Sequence, residues 1–182
     1  MLKNLIKKMQ LIQDWFKLNE SMKLRQLSNS TIEEAALNSD KVLGEISLIA
    51  YSLHKLLSKP HIVKSKNWNK VKLNILNSLN KSINFLKKKN FDQFEKELDR
   101  IALNVSSIDS RLSNYIQNIY EKARIKQASR AYGFGLSLSQ AQKLTNANKK
   151  DLLNYIGITR IHEKVKAKKG INERLKALKE VF

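Results

Sequence analysis

Apolar side chains return every three or four residues along almost the whole chain, and a single proline, Pro60, interrupts them. That period belongs to amphipathic helices, not to the alternation of half-buried strands. With 5 glycines in 182 residues, little material exists for tight hairpins. The pattern predicts an all-α chain: an antiparallel helical bundle, then a small helix-turn-helix module, then a C-terminal amphipathic helix.

Residues 1–19 read as an amphipathic helix with Leu2, Leu5, Ile6, Met9, Ile12 and Phe16 on one face. Lys3, Lys7, Lys8 and Lys17 fall off that stripe, so the helix packs on a bundle or partner, or lies on a membrane surface. Residues 20–120 read as the bundle. In "SNSTIEEAAL" the spacing of Ser30 and Glu33 is that of a capping box, which starts a helix near Thr31. Asp40 caps the next helix, whose apolar face runs from Val42 and Leu43 to Leu56 and Leu57. Pro60 marks a loop. A long helix follows from about Asn67 to Lys89, with Trp68, Val71, Ile75, Leu76, Leu79, Ile83 and Leu86 inside. Asn90 ends it or caps a helix buried through Phe91, Phe94, Leu98, Ile101 and Val105. A further helix begins near Ile108 and turns Leu112, Tyr115, Ile116, Ile119, Tyr120, Ala123 and Ala128 inward. Short connections favour antiparallel neighbours.

The formal net charge is +19. A surface this basic suits a polyanion: nucleic acid, an anionic membrane or an acidic protein. Abundant Asn, Lys and Ile give codon bias a share in that charge. Basic residues outnumber acidic ones on both sides of Arg130, so no single segment owns the excess. The absence of cysteine excludes disulfides, thiolate metal sites and a cysteine nucleophile, and fits a cytoplasmic location. No run approaches the roughly 18 apolar residues of a membrane span. The first residues lack the uncharged core and cleavage site of a signal peptide.

Residues 121–157 read as the helix-turn-helix module. Gly133 and Gly135 stop the preceding helix. Ser137 caps "LSQAQKL", Asn146 takes a left-handed turn conformation, and Asn148 caps "KKDLLNYI" with Asp151 three residues on. Leu138, Ala141, Leu144, Ala147, Leu152 and Ile156 form the buried set. Short helix pairs of this kind also occur as corners of plain bundles. The segment "ASRAYGFGLSLSQAQKLTNANKKDLLNYIGI" resembles the helix-turn-helix core of small prokaryotic antitoxin-like proteins paired with PIN-domain toxins. The resemblance rests on Ala128, Tyr132, Gly135, Ser137, Ala141, Leu144, the turn at Asn146, and Leu152. It implies duplex-DNA binding ahead of RNA, transcription regulation and a PIN-domain-type toxin as partner.

A DNA-reading module would place its last helix in the major groove. Lys149, Lys150 and Asn154 would face the bases, with Asn148 at the tip. Ser139, Gln140 and Lys143 would touch phosphates, as would Arg124, Lys126 and Arg130 from the preceding helix. Residues 158–182 read as a partner-binding or dimerisation tail. Its apolar candidates are Ile158, Ile161, Val165, Ile171, Leu175, Leu178 and Phe182. The bland alternative folds the tail back on the bundle.

The histidines His54, His61 and His162 are scattered without carboxylates at ligand spacing, so no metal site is expected. No Walker loop, dinucleotide fingerprint or nucleophile elbow occurs. No enzyme and no cofactor are expected. Two other readings stay open: an RNA- or ribosome-associated basic helical protein, and a protein-interaction module without a nucleic-acid role.

Overall fold

A computed structural model of the chain describes residues 2–112 and 119–159. These residues form α-helices and no strand: α1 (Leu2–Lys17), α2 (Ser21–Asn38), α3 (Lys41–Leu57), α4 (Pro60–Val63), α5 (Trp68–Lys87), α6 (Phe91–Leu112), α7 (Ile119–Gly133), α8 (Leu138–Thr145) and α9 (Lys149–Thr159). The all-α expectation is met. None of these helices is long and apolar enough to cross a membrane.

Helix α3 is the centre. It is buried from Leu43 to Leu56 on nearly every side, and α1, α2, α4, α6, α7 and α8 all pack against it. The partners come as hairpins, α2 with α3 and α5 with α6, each joined by two or three residues. Helix α1 lies across α5, where Phe16 meets Trp68 edge to face at 6.1 Å between ring centres. Its stripe is as expected, with Leu5, Met9, Ile12 and Phe16 buried.

Sharp helix stops make these hairpins possible. Asn19, Ser39, Lys89 and Asn146 all sit at left-handed φ, between 51° and 60°. At three of them the next amide reaches back around the last turn: Glu20 to the Trp15 carbonyl at 2.8 Å, Asp40 to Ala35 at 3.0 Å, Asn90 to Phe85 at 2.9 Å. At two of them the new helix is then capped at once. Asp40 accepts from the amides of Val42 and Leu43, and Asn90 from that of Gln93.

Several expectations are corrected. No helix starts at Thr31. Ser30 lies inside α2 and donates to the Leu27 carbonyl at 3.0 Å instead of capping. Leu24 and Leu27 before it and Ile32 and Ala35 after it are all buried, so a break there would split one buried face. The Pro60 segment is not a plain loop: Pro60 opens the single turn of α4, whose Ile62 is fully buried. No new helix begins at Ile108, because α6 runs unbroken to Leu112. Within it the Ser106 hydroxyl bonds the Ala102 carbonyl at 2.8 Å, which keeps a serine inside the helix. Phe91 is 47% exposed, not inside. Lys8 is buried rather than off the stripe, held by Glu34 at 2.9 Å and by the Thr31 hydroxyl at 3.4 Å. Tyr115, Ile116 and the side chain of Leu112 lie outside the described residues.

Small residues set the closest approaches. Ser28 and Ser47 each donate to the other's carbonyl, at 3.0 and 3.1 Å, across the α2–α3 contact. Gln127 of α7 then donates to the Ser28 hydroxyl at 2.7 Å. Gly44 faces α8 so closely that a Cβ there would stand 2.6 Å from the Leu144 carbonyl oxygen. Gly44→Ala should therefore force α3 and α8 apart and cost about 1–3 kcal/mol, read as a lower urea midpoint. An unchanged midpoint would show that the contact yields freely.

His54 generates a pH prediction. It is buried at the α2–α3 seam, its Nδ1 2.8 Å from the Ser21 hydroxyl and 3.0 Å from the Ser21 carbonyl. Burial holds its pKa below the ordinary 6.5, outweighing the raising effect of the Ser21 carbonyl. The unfolded chain thus takes up the proton first as pH falls. Stability should be complete above 6.5 and decline as pH drops through the folded value. Unfolding midpoints of the parent and of His54→Gln, compared at neutral and mildly acid pH, should show a shallower decline in the variant.

Candidate nucleic-acid interface

Helices α7, α8 and α9 form the corner that the sequence singles out. At the end of α7 Gly135 takes φ 93°, and the Leu136 amide returns to the Ala131 carbonyl at 3.3 Å. Ser137 opens α8 through a complete capping box: its hydroxyl accepts from the Gln140 amide, and the Gln140 side chain accepts from the Ser137 amide. Asn146 makes the turn at φ 51°. The Asn148 side-chain oxygen then caps α9, accepting from the amides of Lys150 at 2.9 Å and Asp151 at 3.2 Å.

Two apolar surfaces hold the corner. Leu136, Ala141 and Leu144 belong to the main core. Ala128, Ala147, Leu152 and Ile156 form a smaller cluster under α9, with Tyr132 and Leu138 packed against it. Helix α8 is thus wedged between the bundle and α9. Leu138, expected inside, is only partly buried.

The expected contact residues divide into groups. Ser139, Gln140 and Lys143 on α8 are exposed, as are Asn148, Lys149, Lys150 and Asn154 at the start and outer side of α9. Two of them are already partly engaged, since the Gln140 and Asn148 oxygens serve the caps. Ile158 is 83% exposed and Leu153 49%, on the same helix. Ile161, Val165, Ile171, Leu175, Leu178 and Phe182 lie outside the described residues.

Arg124 lies on another side of α7 from the rest of the set. It stands two positions from Lys126, and two positions along an α-helix point to opposite sides. Its guanidinium bonds Glu121 at 2.6 Å and stacks 5.1 Å from the centre of the Tyr120 ring. It serves an acidic neighbourhood, not the corner. Lys126 and Arg130, by contrast, face α9. The Lys126 ammonium donates to the Tyr155 hydroxyl at 2.6 Å and stands 5.3 Å from the centre of that ring.

Around Lys126 lie residues that the sequence reading passed over. Tyr51 and Lys55 of α3, Lys59 just after it, Lys122 of α7 and Tyr155 of α9 line one pocket with Lys126. The Lys55 ammonium stands 5.6 Å from the centre of the Tyr51 ring. A signal existed: Lys122, Lys126 and Arg130 recur every four residues, as do Tyr51, Lys55 and Lys59. Desolvation, then Arg25, Lys126 and Lys59, hold the Lys55 pKa below its usual value. Desolvation and Arg25 act the same way on Arg130. Burial, with Tyr155 beside it, pushes the Tyr51 phenol up. The region is cation-rich, and neutral rings partner its lysines. Among the described residues no cluster of three His, Cys, Asp or Glu could hold a metal.

Leu152 is fully buried under α9. Leu152→Ala should cost about 2–5 kcal/mol by opening a cavity there. Hydrogen exchange should show the loss in α8 and α9 before α1 to α6; uniform loss would mean that the corner unfolds only with the whole. No family model, curated protein or solved structure matches the chain.

Proposed function

We propose that the chain binds duplex nucleic acid, DNA ahead of RNA, and acts as a regulator of the antitoxin type. The observation that carries this reading is the corner itself. A capped α8, a left-handed Asn146 and a capped α9 leave Lys149, Lys150 and Asn154 exposed, while Leu152 and Ile156 anchor the helix from behind. Exposed polar residues at the start of α9 with apolar anchors behind them support reading it as the second helix of a helix-turn-helix.

In this reading α9 enters the major groove. Asn154 pairs with an adenine edge, and Lys149 and Lys150 reach guanine or phosphate. Ser139 and Lys143 touch the phosphates beside the groove, with Lys126 and Arg130 adding positive field behind α9. Arg124 drops out of the contact set, being engaged with Glu121. The exposed Ile158 at the end of α9 supports a protein partner there, either a PIN-domain-type toxin or a second copy of the chain.

The test is a gel shift paired with a thermal melt. Lys149, Lys150 and Asn154 replaced together by Ala should leave the melting temperature nearly unchanged, since such surface changes stay within about 0.5 kcal/mol. Duplex binding should weaken, and Asn154→Ala alone should alter sequence preference, because a lost base contact is worth about 1–3 kcal/mol. With six phosphates engaged, affinity should fall about a thousandfold between roughly 50 and 200 mM salt. A triple variant that binds duplex DNA like the parent would overturn the reading.

A further inference from the structure

The pocket between α3, α7 and α9 has a volume of about 480 Å³. That lies within the range of sites for small organic ligands, roughly 300–1,000 Å³. Its walls combine two chemistries. Tyr51 and Tyr155 supply ring faces and Ile119 and Ile125 apolar contact, while Lys55 and Lys126 lead a set of lysines.

The lysines here are held differently from cations elsewhere in the molecule. Lys8, Arg100 and Arg124 are each paired with a carboxylate. Lys55 and Lys126 instead stand over tyrosine rings, and no carboxylate lines the pocket among the described residues. The Lys55 and Lys126 ammonium groups repel each other beside a partly desolvated wall, and an anion set between them relieves that repulsion. Inorganic phosphate alone would neutralise them but leave the rings and isoleucines uncovered. A ligand with a flat apolar body and a phosphate uses both halves of the wall.

We propose that this pocket binds a nucleoside phosphate, its base against Tyr51 and Tyr155 and its phosphate between Lys55 and Lys126. The same chemistry is offered by a free nucleotide or by an unpaired nucleotide of a single strand. The proposal shares Lys126 with the duplex reading but none of the outer residues of α9, so variants at 149, 150 and 154 separate the two.

Calorimetry on the full chain with adenosine monophosphate tests it. The parent should bind more tightly than about 1 mM, and adenosine or inorganic phosphate alone should bind at least about tenfold more weakly. Lys55→Met and Lys126→Met should each weaken binding about tenfold or more, while the variant with Ala at 149, 150 and 154 should bind like the parent. Lys55→Gln serves if the Lys126 variant fails a circular-dichroism melt. A short single-stranded oligonucleotide that displaces the nucleotide supports the strand as source, and failure to displace supports the free nucleotide. The proposal is overturned if the parent binds no nucleotide, if phosphate alone matches the nucleotide, or if the folded lysine variants bind as tightly as the parent.

Discussion

The approach of α8 to α3 at Gly44 governs where the corner formed by α7, α8 and α9 sits. A side chain at that position would collide with the Leu144 carbonyl oxygen, so the bare backbone lets α8 settle directly on the most buried helix of the protein. Everything downstream inherits that seat. Helix α7 is tied to α2 by Gln127 on Ser28, and α9 rests on α7 through Ala128, Leu152 and Ile156. The outer side of α9 is therefore presented by a rigid stack that runs back to α3, not by a loose appendage. Packing of this kind fixes the direction in which the outer side of α9 faces.

Local features of this fold were legible in the sequence, and tertiary ones were not. The caps at Asp40, Asn90, Ser137 and Asn148, and the left-handed Asn146, all depend on a few neighbouring residues whose side chains reach their own backbone. Ser30 shows the limit of that reasoning. The same residue types that cap also sit inside helices, and only the buried face running from Leu24 to Ala35 decides the case. Lys8 looked like a surface lysine because Glu34, the partner that makes its burial tolerable, lies on another helix. The left-handed stop at Lys89 gave no warning either, since lysine carries no preference for that conformation. The exposure of Ser139, Lys143, Lys149, Lys150 and Asn154 was legible because periodicity separates the outer side of these helices from Leu152 and Ile156. The pocket was not, because Tyr51 and Tyr155 meet only after α3, α7 and α9 have packed.

Helix α7 also explains how a chain with net charge +19 sorts its charges instead of spreading them. On one side Arg124 meets Glu121 and Tyr120, and its field reaches Glu45. Desolvation and the neighbouring Asp99 and Glu95 push the Glu45 carboxyl up, which is the mark of acids crowded together. Arg124 lowers that crowding, and Tyr120 is kept neutral by its burial there. On the other side Lys126 and Arg130 face α9 with Lys55 and Arg25 near them, and the repulsion runs the opposite way. Among the described residues, one helix thus carries a side where cation meets carboxylate and a side where Lys126 meets a ring instead. An even scatter of lysines from codon bias would not place the acids opposite the cation-rich side of a single helix. Several of the cations gather where α3, α7 and α9 converge, beside the corner that presents α9. Cations gathered on one side of a helix, with Lys55 and Lys126 over rings instead of beside carboxylates, are the arrangement that electrostatic steering of an anion would require.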